Sequence, residues 1–169
     1  QALWAHGPPE LMPHRSQLAV LLRTAHAAQL ALALAWCAWR WTASPVQALS
    51  GAGLILALGA VILAAEFLLL ARLCRSDSAP VPTAADLVRA WWAEVGAFFR
   101  VFYWRQPFRW RLSADTLVQT SDGRAGVVFI HGFFCNRGFW SPWLERIRGQ
   151  GRACLALNLE PVLASVDAY

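Results

Sequence analysis

Charged residues are scarce in this sequence. Only 15% of its 169 residues are charged, whereas 57% are hydrophobic and the mean hydropathy is +0.39. A typical soluble domain has about 25% charged residues, so this chain is too apolar to be one. From Thr42 to Ala65 no residue is charged for about 24 positions, which suffices for a helix to cross roughly 30 Å of hydrocarbon. The low charge therefore predicts that much of the chain is associated with a membrane.

Several motifs of familiar binding chemistry are also missing. The four cysteines form no CxxC pair and no Cys/His set with metal-ligand spacing, so we predict no zinc site, disulfide framework, metal or cofactor. The sequence has no phosphate-binding glycine loop, dinucleotide fingerprint or internal repeat. Arginines alternate with aromatic residues from Trp104 to Arg111, as in some single-strand nucleic-acid binders. A segment beside anionic lipid needs the same composition, so no nucleic-acid partner is predicted.

Two apolar segments predict a transmembrane helical hairpin over residues 16–75, preceded by an N-terminal flank over residues 1–15. The first segment is Leu18 to Trp41 and the second is Val46 to Leu73, joined by a tight turn at Thr42 to Pro45. The first segment contains Arg23, His26 and Gln29, whereas its end carries three tryptophans of the kind found at membrane interfaces.

Basic residues predict the orientation of this hairpin. Arginines precede the first segment and follow the second, whereas the connecting turn has only Arg40 beside it. The positive-inside rule then places both ends in the cytoplasm and the turn outside. We expect a multi-pass protein, of a bacterial inner membrane, whose C-terminal part is cytoplasmic.

Residues 76–106 read as a linker followed by an amphipathic helix. A stretch rich in Ser and Pro precedes Thr83, and Asp86 lies three residues later, which is typical of a capping box. Large apolar residues then recur at helical spacing on one face: Leu87, Trp91, Val95, Phe98, Phe99 and Phe102. This face either packs on the rest of the protein or lies in the headgroup layer of a membrane.

Residues 107–169 have the pattern of a partial α/β domain. Val127–Ile130 is apolar and predicts a buried strand that ends at His131-Gly132, where a glycine allows a sharp exit. A helix from Phe139 to Arg148 and a strand from Ala153 to Leu157 would complete a βαβ unit. An edge strand over Phe108–Leu112, a partner strand over Thr116–Gln119 and a turn at Asp122-Gly123 are predicted before it.

The strand that ends in His131-Gly132-Phe133, followed by Asn136-Arg137, Trp140 and Trp143, resembles the lipase- and esterase-like members of the α/β-hydrolase family. The resemblance implies an α/β fold class: an N-terminal two-helix transmembrane hairpin followed by the opening βαβ part of a hydrolase sheet. It also implies that the Phe133 backbone N–H binds the oxyanion and that His131 and Gly132 shape its loop. Phe134 and Asn136 would contact the substrate.

The family's nucleophile motif, Gly-x-Ser-x-Gly, is absent. We therefore interpret the chain as an N-terminal fragment of a hydrolase, inactive alone, whose nucleophile and remaining triad lie beyond it. The predicted function is hydrolysis of carboxylic esters, lipid-like or acyl, by a membrane-tethered serine hydrolase, with the lipid bilayer and an ester substrate as partners. The alternative is a non-catalytic membrane protein that uses a hydrolase-like scaffold to bind a partner. Cys135 is expected to be a packed thiol, not a nucleophile.

Overall fold

The computed structural model describes residues 15–74, 81–116 and 125–162. They belong to two units: unit 1 combines the chain up to Arg23 with the chain from Val101 onward, and unit 2 is Thr24–Arg100. The described residues lie mostly in helices, which are α1 (Gln17–Trp41), α2 (Pro45–Leu56), α3 (Leu58–Leu73), α4 (Ala84–Phe98), a π-helix (Phe99–Arg105), α5 (Gln106–Phe108), a 3-10 helix (Arg137–Trp140) and α6 (Ser141–Gly149). The two strands are β1 (Val127–Phe129) and β2 (Cys154–Ala156).

Helix α1 is long and apolar enough to span a membrane, and it lies near the N-terminus of the sequence. Its 25 residues cover about 38 Å at 1.5 Å per residue. Among the described residues, α2 and α3 pass the same length and hydropathy test only when they are taken together. Within the part of the chain that the structure describes, α1 is therefore the one unbroken candidate span.

The second apolar segment is broken, because the helix is interrupted at Ala57 and the axes of α2 and α3 differ by 68°. Helices bend where glycine weakens the backbone or where a side chain bonds to it, and Gly53 and Gly59 flank this break. Gln29 donates a side-chain hydrogen bond of 2.8 Å to the Ile55 carbonyl. This bond gives the Ile55 carbonyl, two residues before the interruption, a side-chain donor.

Close packing in unit 2 depends on two glycines. A Cβ on Gly51 would lie 2.0 Å from the Trp36 indole nitrogen, which donates a hydrogen bond of 3.1 Å to the Gln47 carbonyl. A Cβ on Gly59 would lie 2.5 Å from the Phe98 ring, so Gly59 allows α4 to approach α3. The absence of a side chain at each glycine makes room for an aromatic ring.

The predicted amphipathic helix is present as α4 up to Phe98, whereas Phe99 and Phe102 lie in the π-helix, and the predicted capping box is formed. Thr83 Oγ1 accepts the Asp86 N–H at 3.2 Å, and the Asp86 carboxylate accepts the Thr83 N–H at 3.2 Å. The apolar face packs on α3, where Trp91 Nε1 donates a hydrogen bond of 3.1 Å to the Ala60 carbonyl. This contact supports the interpretation that the apolar face packs on the rest of the protein.

The two strands in unit 1 pair in parallel, with Val127 opposite Cys154 and Phe129 opposite Ala156. Between them along the chain lie the 3-10 helix and α6, which covers one face of the pair. A small core forms there from Leu144, Cys154 and Ala156, and from the half-buried residues Phe129, Trp140 and Ile147. The other face is open, because Val128 is 59% exposed. The prediction that this strand is buried is therefore wrong.

The predicted fold class is also wrong. The described residues are mainly helical with two three-residue strands, not a two-helix hairpin followed by a βαβ hydrolase sheet. The second predicted span is two helices with a bend. The predicted edge strand over Phe108–Leu112 is absent, because the helical chain continues through the π-helix and α5 before turns begin at Arg109. Residues 117–119 and the turn at Asp122-Gly123 lie outside the described residues.

The alternation in residues 108–112 has another cause. Arg111 stacks on Trp110 with its guanidinium carbon 4.5 Å from the ring centroid, and Arg109 lies 5.7 Å from the Trp104 ring. Such cation–π contacts need arginine beside an aromatic residue but no strand. A period of two was therefore ambiguous over so short a segment.

Candidate functional site

The loop after β1 is where the sequence predicts chemistry. Phe133 and Phe134 form a turn between the end of β1 and the 3-10 helix. Phe134 has a φ of 55°, a left-handed conformation that is rare for a bulky L-residue. Gly132 has no positive φ, and a Cβ on it would meet nothing within 4 Å. The unusual backbone conformation is therefore at Phe134, and the prediction that the exit requires a glycine at 132 is wrong.

His131 connects this loop to the loop after β2. Its side chain is buried, and its Nε2 accepts the Leu159 N–H at 3.0 Å. Its Nδ1 lies 3.0 Å from the Gly132 carbonyl. Nε2 can accept only when it carries no proton, so the geometry assigns a neutral imidazole that donates from Nδ1. Both ring nitrogens thus bond to backbone atoms, and the residue is placed to hold the loop.

The Phe133 backbone N–H is the proposed oxyanion donor. No described residue accepts a hydrogen bond from it. The Phe133 side chain is 74% exposed, and its ring packs edge-on against Phe134 at 5.0 Å between centroids. The amide therefore lies in an exposed, apolar turn and is not hydrogen-bonded to any described residue.

Asn136 is buried, and protein atoms occupy each of its polar groups. Its backbone N–H donates to Gln106 Oε1 at 2.7 Å, and its Nδ2 donates to the Gln106 carbonyl at 2.9 Å and to Ser16 Oγ at 3.3 Å. Its Oδ1 accepts the Gly138 N–H at 3.0 Å. The geometry leaves this side chain nothing with which to bind a substrate, contrary to the prediction. It fixes the end of the loop instead.

A buried ion pair beside the loop was not predicted from the sequence. Arg137 donates to both oxygens of Asp115 at 2.8 and 2.9 Å and to the Ser113 carbonyl at 2.6 Å. The same carboxylate accepts the Ala156 N–H at 2.9 Å. The pair therefore joins the 3-10 helix to the end of β2. Arg137 follows the His131-Gly132-Phe133 motif closely in the sequence, but no sequence pattern indicates Asp115 as its partner.

The start of α1 is attached to the same structure. The Gln17 N–H donates to Glu160 Oε1 at 2.8 Å, and Asn158 Nδ2 donates to the same oxygen at 2.9 Å. A carboxylate at this position stabilises the N-terminal end of a helix. Through Ser16 and Gln17, the first turn of α1 bonds to the loop after β1 and to the loop after β2. No local pattern in the sequence indicates this attachment, because the bonded residues are separated by 120 positions or more.

Cys135 lies in the loop but is not prepared for nucleophilic attack. Burial raises the pKa of its thiol, so the reactive thiolate is disfavoured at neutral pH. Neither nitrogen of His131 bonds to it. Within the described ranges, no cluster of three His, Cys, Asp or Glu side chains could hold a metal ion.

The site thus combines an unpaired amide, a left-handed phenylalanine and a loop that is fixed at both ends. The assignment of this site to the α/β-hydrolase family stays a prediction. Comparisons of the chain with protein-family models, with curated proteins and with solved structures find no match.

Proposed function

We propose that the loop after β1 is the oxyanion-binding turn of a membrane-tethered serine hydrolase that acts on carboxylic esters. The observation that carries this proposal is the unpaired Phe133 N–H. The loop is held on either side of that amide, since His131 accepts the Leu159 N–H and Asn136 donates to the Gln106 carbonyl. A donor that is fixed before the reaction stabilises the negative charge of the transition state at little reorganisation cost. We propose this role for the loop alone and do not propose the hydrolase fold class again.

The surroundings of the amide favour a substrate with an acyl chain. Four large apolar side chains in the turn and in the two helices that follow it are exposed to different degrees: Phe133 at 74%, Trp143 at 51%, Phe134 at 40% and Phe139 at 37%. Exposed aromatic side chains of this kind suit an apolar ligand or a membrane surface. A lipid-like or acyl ester could place its carbonyl oxygen at the amide and its chain along these rings.

The serine nucleophile and its acid and base are assigned to sequence outside these 169 residues. Two described serines near the site are already engaged, since Ser141 Oγ donates to the Gly138 carbonyl at 3.0 Å and Ser113 Oγ to Glu145 at 3.3 Å. His131 uses both nitrogens for backbone atoms. The chain by itself is therefore expected to be inactive.

The proposed location is a bacterial inner membrane, with more than one pass. In this arrangement α1 begins at the cytoplasmic surface beside Arg15 and Arg23, and the turn before α2 lies outside. The bent pair of α2 and α3 returns the chain to the cytoplasm. The hydrolase part is then cytoplasmic and tethered to its substrate's membrane.

A fluorophosphonate probe tests this function on the full-length natural protein that contains this sequence. We expect one labelled serine, located outside these 169 residues. Phe133→Pro removes the amide hydrogen, and we expect about a 10²–10³-fold lower esterase kcat, as for loss of one oxyanion donor. Phe133→Leu keeps the amide and serves as the matched control, with kcat within a few-fold of the parent.

Two results would contradict the proposal. If no serine is labelled and no ester is cleaved, the protein is the non-catalytic partner-binding alternative. If Phe133→Pro retains the parent's kcat while its circular dichroism is unchanged, the amide is not the oxyanion donor.

A further inference from the structure

A cavity of about 530 Å³ lies in unit 1 at the N-terminal end of α1. Its lining residues come from the start of α1 and from the segment around α5, and they are Arg15, Ser16, Val20, Arg23, Pro107, Phe108, Trp110 and Arg111. The volume falls within the range of small-molecule sites, roughly 300–1,000 Å³. The cavity is separate from the Phe133 turn, whose residues do not line it.

Three guanidinium groups dominate the chemistry of this cavity. None of the lining residues is acidic, and Arg15 and Arg23 make no hydrogen bond or ion pair with any other described residue. Arg111 is held over the buried Trp110 ring, with its guanidinium carbon 4.5 Å from the ring centroid. A cavity of this charge attracts an anion.

All three cations are arginine, and this choice favours phosphate. The guanidinium group presents a planar fork of N–H donors that matches two phosphate oxygens at once, whereas an ammonium acts as a point charge. Three of the lining residues, Ser16, Pro107 and Trp110, are buried.

The position of the cavity favours a lipid as the source of that phosphate. Arg15 precedes α1, and Arg23 lies six residues after its first residue, about 9 Å along the axis. If α1 crosses the bilayer, this interval covers the headgroup layer on the side where the helix begins, since that layer is about 5–7 Å thick. Anionic lipid headgroups occupy this depth, and arginine side chains extend towards them.

We propose that this cavity binds the phosphate of an anionic phospholipid headgroup at the membrane surface where α1 begins. The guanidinium groups of Arg15, Arg23 and Arg111 bind the phosphate oxygens, and the acyl chains stay in the bilayer along α1. A bound lipid would thus connect α1 to the segment around α5. This proposal requires α1 to lie in a membrane, but it does not depend on ester hydrolysis.

Isothermal titration calorimetry on the full chain in the uncharged detergent dodecyl maltoside tests the proposal. The titrants are dihexanoyl-phosphatidylglycerol, dihexanoyl-phosphatidylcholine and inorganic phosphate. We expect phosphatidylglycerol to bind at least tenfold more tightly than either of the others. The double variant Arg15→Gln/Arg23→Gln and the single variant Arg111→Gln should each weaken this binding, the double variant by tenfold or more.

The matched control is Arg146→Gln/Arg148→Gln, which removes two exposed arginines of α6 that do not line the cavity. It should bind phosphatidylglycerol within twofold of the parent. Equal affinity for phosphatidylcholine, or equal weakening by the α6 control, would overturn the proposal. Inorganic phosphate that binds as tightly as phosphatidylglycerol would overturn the lipid source. Because Arg111 lies outside α1, the single variant Arg111→Gln tests the phosphate-binding cavity even if the double variant in α1 fails to fold.

Discussion

At the scale of single residues, some features of the loop after β1 can be predicted from the sequence and others cannot. The strand that ends at His131 is visible in the sequence, because an apolar run that ends in a polar residue is a local pattern. The conformation of each residue was not visible. The glycine at 132 has no left-handed φ, whereas the phenylalanine at 134 does. Side-chain partners such as Asp115 for Arg137 were also hidden, because the contact spans 22 positions with no repeating pattern.

The backbone of Phe134 can be tested by comparing two substitutions that both remove the ring. A non-glycine residue in the left-handed region costs roughly 1–2 kcal/mol, whereas glycine adopts it freely. We therefore expect Phe134→Gly to have a free energy of unfolding about 1 kcal/mol higher than Phe134→Ala. Urea unfolding in detergent, followed by circular dichroism, measures the difference.

The neighbouring glycine provides the control. Because Gly132 has no positive φ and a Cβ there meets open space, Gly132→Ala should change the free energy of unfolding by less than about 1 kcal/mol. If Phe134→Ala is as stable as Phe134→Gly while Gly132→Ala is strongly destabilised, the left-handed position has been placed at the wrong residue.

At the scale of secondary-structure elements, local signals succeeded where the chain itself supplied the partner. The Thr83–Asp86 capping box and the apolar face of α4 depend on residues three or four positions apart, and both are present in the structure. The tight turn after Trp41 was also predicted, since Ser44 caps α2 and Pro45 starts it. The interruption at Ala57 was missed, because hydropathy averages over a window and does not register a local change in ψ.

The packing of α4 on α3 leads to a paired prediction about two glycines near that interruption. A Cβ on Gly59 would lie 2.5 Å from the Phe98 ring, so Gly59→Ala should displace the ring and lower the free energy of unfolding by about 1–3 kcal/mol. A Cβ on Gly53 meets nothing within 4 Å, so Gly53→Ala should raise stability by up to about 1 kcal/mol through helix propensity.

Thermal unfolding in detergent compares the two variants with the parent. Gly59→Ala should unfold at a lower temperature than the parent, because the displaced Phe98 ring separates α4 from α3. Equal stability of the two variants would show that Phe98 does not depend on the missing side chain of Gly59.

At the scale of the whole molecule, the apolar composition predicted a membrane association that α1 supports by its length. The architecture was not predictable, because a mainly helical chain and an α/β chain share the same apolar fraction, and the strand pattern covers few residues. The lengths of α2 and α3 bear on whether this bent pair crosses the membrane. Helices α2 and α3 measure about 18 and 24 Å, and at a bend of 68° their outer ends are about 35 Å apart. That distance exceeds the roughly 30 Å thickness of the hydrocarbon core.

The bent pair is therefore long enough to complete a second crossing, and cysteine labelling distinguishes a crossing from a re-entrant loop. The background is a variant in which Cys37, Cys135 and Cys154 are replaced by serine. One protein keeps the native Cys74 at the end of α3, and another carries Ser44→Cys with Cys74 also replaced.

Applied to intact cells, a membrane-impermeant maleimide should label position 44 but not Cys74. Applied to inverted vesicles, which expose the cytoplasmic side, it should label Cys74 but not position 44. A permeant maleimide controls for reactivity and should label both. If both positions react from the same side, α2 and α3 enter and leave by one surface, and the proposed cytoplasmic location of the site is wrong.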